Sequence, residues 1–365
     1  MRIDSIEITH VRIPLVEPFR ISSGAVSEKD AIVVRVESDG LAGYGECSPM
    51  AGSFYSADTP ESCWRELVEL GGRLDAVDSL TSNFSKAGIE TALWDLEAQR
   101  QGKPLYKLLG GTRARVESGL AVGLYDDVNN LLRAIERHLG DGYKRVKIKI
   151  EPGRDIDLVR AVRREFGDIP LFVDANGAYR IEHAPLFREL DEYGLMMFEQ
   201  PFPGPMLEEL AELQRQVRTP VCLDESLETE DDLRRALVLG SLRIANIKIQ
   251  RVGGFGPALR MCETCRQHAI PVWVGTMPEL GIGGAQGAAL ATLEHCTLPT
   301  DVEASLRWFS DDLIVPMLEV RDGYLQLPET PGLGYAVDRE KIERYAVCSR
   351  RLPAAGANLR RTSST

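Results

Sequence analysis

Three apolar runs, each closed by a carboxylate, set the pattern of this chain. Leu171-Phe172-Val173 ends at Asp174, Leu195-Met196-Met197-Phe198 ends at Glu199, and Val221-Cys222-Leu223 ends at Asp224, at intervals of 25 residues. A fourth run, Ile244-Ala245-Asn246-Ile247, ends at Lys248 after 24 more, and an earlier one carries Lys147-Ile148-Lys149. Such an interval holds one strand, one helix and two short loops. The polar and apolar positions around these runs predict helices over 128–139, 156–166, 257–267 and 284–293. They predict further strands over 116–122, 145–150, 271–275 and 298–302. This count of alternating units favours a closed parallel barrel over an open doubly wound sheet. In a barrel every strand brings its C-terminal end to one face, so the five ionisable strand ends converge there.

The flanking segments have a different pattern. Ile3, Ile6, Ile8, Val11 and Ile13, then the run from Ala31 to Val36 with its turn at Asp39-Gly40, read as antiparallel strands. Pro60 starts a helix, and Ala87, Ile89, Ala92, Leu93, Leu96 and Ala98 line one face of another over 85–101. Near the end, Arg321-Asp322-Gly323 between two apolar stretches is a hairpin signal. The predicted fold class is α/β: a (β/α) barrel, TIM-like but modified, with an α+β capping domain made from the N-terminal region and the C-terminal segment. The expected boundaries are 1–115 for the cap, 116–310 for the barrel and 311–349 for the return to the cap, with the hairpin packed on the N-terminal unit. Residues 350–365 have few apolar groups and are expected to form a mobile tail.

Charge and cysteine content narrow the function classes. With 43 Lys+Arg against 55 Asp+Glu the net charge is −12, which argues against nucleic acid or an anionic membrane as the main partner. The N-terminus has no apolar leader and no run is long enough to cross a membrane, so a soluble, cytoplasmic protein is expected. Seven scattered cysteines read as reduced thiols, and the Cys262-x-x-Cys265 pair lies in a predicted helix without further ligands.

Three converging carboxylates repel one another and need a counter-ion. Oxygen ligands suit Mg²⁺, or Mn²⁺, better than Zn²⁺, which prefers His and Cys. Asn176 and Glu225 stand beside the carboxylates in sequence and are plausible supports. Lys147 and Lys149 alternate by two and so face the same side. Lys248 comes from a strand four positions further round. A lysine near a cation is a usable base near neutral pH, and two on opposite faces of a substrate suit proton abstraction next to a carboxylate.

These strand ends carry a resemblance. Lys147-Ile148-Lys149-Ile150-Glu151-Pro152-Gly153, Val173-Asp174-Ala175-Asn176-Gly177, Phe198-Glu199-Gln200-Pro201, Leu223-Asp224-Glu225-Ser226 and Asn246-Ile247-Lys248 together resemble the enolase superfamily. Within it the match is closest to the muconate-lactonizing subgroup, and there to o-succinylbenzoate synthases and N-acylamino acid racemases. The similarity extends to Gly43-Tyr44-Gly45-Glu46 and Pro331-Gly332-Leu333-Gly334. It implies that Asp174, Glu199 and Asp224 hold Mg²⁺, that Lys149 and Lys248 are the acid/base pair, and that Lys147 assists Lys149. It also implies a small-molecule carboxylate substrate, an enediolate intermediate and a homo-oligomer. Dipeptide epimerase and muconate cycloisomerase are the alternatives within the subgroup, and a non-catalytic barrel is the alternative outside it.

Substrate choice in such folds resides in loops at the mouth. The candidate contacts are Phe19, Ser22, Phe54, Tyr55, Met277 and Glu279, with Asp301 and Glu303 as a carboxylate pair of the kind that would bind a substrate ammonium. Two mouth segments depart from the family pattern: Lys248-Ile249-Gln250-Arg251 in place of Lys-Pro-Gly-Arg, and 275–281 in place of a Gly-Gly-Met followed by Glu-Thr-Gly.

Overall fold

The computed structural model describes residues 2–21, 24–52 and 56–352. Ser5–Ile21, Gly24–Ser38 and Leu41–Cys47 form an antiparallel sheet, joined at its far edge by Ala346–Leu352. Both faces of this sheet are covered. Ile6, Ile8, Ile32, Val34 and Val36 pack under the helices Pro60–Leu70 and Asn83–Arg100, while Val11, Ile13, Ala31 and Val33 join the core shared with the barrel. Alternation of side chains along a strand sends even and odd positions to opposite cores. The Gly43-Tyr44-Gly45 motif lets the second helix lie on the sheet. A β-carbon at Gly45 would stand 2.0 Å from Gly88 O, and one at Gly43 would stand 2.2 Å from Ala92 O.

Seven parallel strands curl in sequence order from Leu120–Val122 through Val146–Lys149, Leu171–Asp174, Phe198–Glu199, Val221–Leu223 and Ile244–Ile247 to Val272–Val274. The eighth member is an irregular segment over 296–301. It bridges Val272 at Cys296 and Ser118 at Thr300, both in parallel sense, and so closes the ring. Thr300 N also donates to Glu117 O and Asp301 N to Val274 O. Phe172, Met197, Cys222, Ile244 and Trp273 fill the interior as an apolar layer.

Besides the irregular segment that stands in place of the strand expected over 298–302, the structure differs from the sequence reading in four further respects. The single strand expected over 116–122 is two, because Gly119 breaks it: Arg115–Glu117 leaves the barrel and pairs with the hairpin Val320–Arg321 and Tyr324–Gln326. That hairpin therefore packs at the barrel's edge, and the segment returning to the N-terminal sheet is Ala346–Leu352. Residues 350–352, assigned above to the tail, belong to that strand. The helix expected over 284–293 starts three residues earlier, at Gly281, because carboxylates from outside the barrel satisfy its first amides. Glu46 accepts from Leu280 N and Gly283 N, and Asp312 accepts from Gly281 N, at 2.7–2.8 Å.

Asp95 ties the two flanking motifs together. Its carboxylate accepts from Tyr44 N at 2.8 Å and Leu333 N at 2.6 Å, and burial raises its pKa from 3.8 to about 6. A carboxyl raised in this way contributes stability that is present below the unfolded pKa and lost as pH rises through the folded one. Urea unfolding between about pH 4 and about pH 7 should show this as a loss of up to about 3 kcal/mol that Asp95→Asn lacks. An unchanged slope in the variant would contradict it.

Candidate active site

Five of the six residues expected to do chemistry end adjacent barrel strands or follow them directly; Lys147 sits within one. Parallel register sets Lys149 beside Asp174 and Asp174 beside Glu199. Asp224 and Lys248 follow the fifth and sixth strands. All six of Lys147, Lys149, Asp174, Glu199, Asp224 and Lys248 are buried, and the three lysines line one open cleft of about 430 Å³.

Two clusters of charge face each other across this cleft. On one side Lys149 Nζ donates to Asp174 Oδ2 at 2.5 Å and to Asn176 Oδ1 at 2.8 Å. Asn176, in a left-handed conformation with φ 42°, donates onward to Glu225 Oε1 at 2.9 Å, so the two expected supports are joined. Lys147 Nζ lies 3.3 Å from Glu199 Oε2 and 3.6 Å from Asp174 Oδ2, and pairs with Asp301. On the other side Lys248 Nζ donates to Asp224 Oδ2 at 2.9 Å, and Arg251 pairs with Asp224 Oδ1. Asn246 bridges the clusters by donating to Glu199 Oε1 at 2.9 Å and Asp224 Oδ1 at 3.1 Å. Gly275 leaves room for this, since a β-carbon there would meet Asn246 Oδ1 at 2.3 Å and Lys248 Cε at 2.8 Å.

The charges shift one another. Burial works to raise Asp174 and Asp224, but Lys149 and Lys147 hold Asp174 below the usual range, and Arg251 and Lys248 do the same for Asp224. Glu199 goes the other way. Burial pushes it well up, and the neighbouring Asp174 and Asp224 add to the rise. Lys147 is opposed by burial but raised well above its ordinary value by Asp301, Glu199 and Asp174, so it stays a cation.

Among the described residues no three His, Cys, Asp or Glu side chains are set as a closed metal cage, since the carboxylates turn to the lysines and Arg251. The donor set nevertheless fits a hard cation. Glu199 Oε2 is buried without a hydrogen bond, and its ionised form is opposed by two more carboxylates. A divalent cation held by Asp174, Glu199 and Asp224 would remove that conflict.

The candidate contacts at the mouth divide. Phe19, Met277 and Asp301 line the cleft, together with Met50, Ala121, Pro278 and Trp308. Phe19 and Trp308 stack edge to face with centroids 5.1 Å apart, forming an apolar wall. Glu279 and Glu303 do not line this cleft. Glu279 folds back to accept from Met277 N at 3.0 Å, and Glu303 accepts from Ala121 N at 2.5 Å with Arg307 beside it. Ser22, Phe54 and Tyr55 lie outside the described residues. The cysteine reading is simple: all seven are free, and Cys262 and Cys265 are buried in the helix Phe255–Gln267. No described helix is long and apolar enough to cross a membrane.

Three known proteins and two family descriptions bear on this geometry. "Enolase C-terminal domain-like" matches residues 130–341, and "Mandelate racemase / muconate lactonizing enzyme, N-terminal domain" matches residues 3–110. The chain is 42% identical to an o-succinylbenzoate synthase of Geobacillus kaustophilus, covering 94% of this chain and 96% of that one. It is 38% identical to an N-succinylamino acid racemase of an Amycolatopsis species, covering 94% and 97%. A solved enolase-superfamily structure from Listeria innocua superposes with a TM-score of 0.91 at 34% identity, over 95% of this chain and 98% of that one.

Proposed function

This chain belongs to the mandelate racemase / muconate lactonizing enzyme family of the enolase superfamily, and from that premise we propose that it removes the proton next to a substrate carboxylate, acting as an o-succinylbenzoate synthase, an N-succinylamino acid racemase, or both. It is an enzyme, and enzymes of this family depend on a divalent metal. Mg²⁺, or Mn²⁺, is the ion proposed here, held by Asp174, Glu199 and Asp224, where it would supply positive charge to the substrate carboxylate as the enediolate forms.

The observation that carries the reading is the placement of Lys149 and Lys248. They line the same cleft from strands four apart in a ring of eight, each on its own carboxylate. In the synthase reaction Lys149 takes the α-proton and returns it to the departing hydroxyl, while Lys248 stays protonated beside the enediolate. In the racemase reaction one lysine takes the proton from one face and the other lysine delivers a proton to the opposite face. Lys147, held as a cation by three carboxylates, orients the substrate and supports Lys149. The apolar wall of Phe19, Met50, Met277 and Trp308 keeps water from the face of the substrate.

The epimerase alternative is disfavoured by Asp301. Arg145 and Lys147 already occupy both of its oxygens, and Glu303 points elsewhere, so no carboxylate pair is presented to a substrate ammonium. Turnover of the cyclohexadiene precursor of o-succinylbenzoate, followed by its aromatic product, separates the two proposed activities. Racemisation of N-succinyl amino acids without aromatic product would reduce the proposal to the racemase alone, and neither activity would refute it.

A further inference from the structure

Arg145, buried inside the barrel, takes no part in the reaction as proposed. It stands two residues before Lys147, so both side chains point inward. Its side chain is 2% exposed. The guanidinium carbon lies 4.8 Å from the ring centre of Phe172 and 5.0 Å from that of Trp273. Its N–H groups donate to Asp301 Oδ1 at 2.5 Å, Pro299 O at 3.2 Å and Leu120 O at 3.4 Å. The chain makes room for it at Gly119, where a β-carbon would stand 2.3 Å from Arg145 Nε and 2.4 Å from Cζ. Branched apolar side chains ordinarily fill this part of a barrel, and burying a cation there is costly unless its partners are complete.

Asp301 is divided between two cations, Arg145 on Oδ1 and Lys147 on Oδ2. On its other side Lys147 faces Glu199 and Asp174, the partner of Lys149. We infer that Arg145 is a positioning residue: by taking up half of Asp301 it prevents Asp301 from closing on Lys147 as an isolated pair, and so keeps that ammonium directed at Glu199 and at Asp174, the carboxylate it shares with Lys149. The inference rests on Lys149 and Lys248 being the two bases. It makes the effect one-sided, because Lys248 is seated on Asp224 across the cleft.

The test is α-proton exchange in D₂O, read by proton NMR separately for N-succinyl-L-phenylalanine and N-succinyl-D-phenylalanine, with Lys149→Ala identifying the enantiomer that Lys149 serves. Arg145→Met should slow that enantiomer about 100-fold in kcat with KM changed less than about threefold, and the other enantiomer less than about threefold. The double variant Arg145→Met/Asp301→Asn removes both charges and strands neither, so it should fold and bring the ratio of the two rates back to within about threefold of the parent. Equal slowing of both enantiomers, or a double variant as skewed as the single one, overturns the inference alone. Parent protein that exchanges neither enantiomer overturns it together with the assignment of the bases.

Discussion

Lys149→Ala and Lys248→Ala are each expected to abolish exchange of the α-proton from one enantiomer of an N-succinyl amino acid, and to do so for opposite enantiomers. Each lysine reaches the cleft from its own side, Lys149 from Asp174 and Asn176, Lys248 from Asp224, so neither can replace the other at the far face. Loss of a positioned base costs about 100-fold to 10,000-fold, and here the residual rate on the affected face should lie at or below the slower end. The unaffected face should keep its rate within about tenfold, since its base and its carboxylate are intact. If both variants lost the same enantiomer, or if either kept full rates on both, the two-base arrangement would be wrong. In the synthase reaction the effects should be unequal in kind. Lys149→Ala removes the group that takes the proton, whereas Lys248→Ala removes a cation beside the enediolate, so Lys248→Arg should recover part of the synthase rate and none of the exchange.

Glu199→Gln is expected to uncouple metal binding from stability. Burial, with the charges of Asp174 and Asp224, opposes ionisation of Glu199, so its negative charge is a burden on the protein without a cation. The neutral amide relieves that burden, and in EDTA the variant should melt at a higher temperature than the parent. With Mg²⁺ the order should reverse. The parent gains the stabilisation that ligand binding confers on the folded state, while the variant binds at least about 100-fold more weakly and gains little. Titration with Mn²⁺, followed by loss of its free electron-spin resonance signal, measures the affinity without any substrate. An unchanged affinity would remove Glu199 from the metal site.

The chemistry of this protein was legible because it stands at strand ends. An apolar run that stops at a charged residue marks the group delivered to the barrel's rim, and five such ends, three carboxylates and two lysines, are legible from spacing alone. Arg145 and Asn246 were missed although the same rule contains them. Each precedes a chosen lysine by two, and period-two alternation sends both inward. Neither is the residue at which its run stops. Other features depend on contacts between distant parts of the chain, which no local pattern carries. Gly119 splits the first strand because it must admit Arg145, and the helix Gly281–Leu290 begins early because Glu46 and Asp312 cap it. Trp308 joins the cleft only because the cap brings Phe19 against it, nearly three hundred residues away in sequence.

Substrate identity follows the same division. The ring of charge fixes what is done to the carboxylate's neighbour, and it is built from one continuous stretch of the chain, Lys147 to Arg251. The wall that selects the rest of the substrate is assembled from Phe19 and Met50 in the cap, Ala121 in the first strand, and Met277, Pro278 and Trp308 after the seventh. The departure at Gln250 also reaches across this seam, since it accepts from Ser48 N at 3.1 Å and donates to Glu46 O at 2.6 Å. Gln250, where the chain differs from the family pattern, thus fastens the cap to the barrel beside Lys248.

The most direct measurement is the proton NMR signal of the α-hydrogen when the unmodified protein is incubated with Mg²⁺ and each enantiomer of N-succinyl-phenylalanine in D₂O. The account predicts that both signals fade, that deuterium appears at the α-carbon from either enantiomer, and that EDTA stops both. Signals that persist for both enantiomers with metal present, in folded protein that also fails to turn over the cyclohexadiene precursor of o-succinylbenzoate, would contradict it.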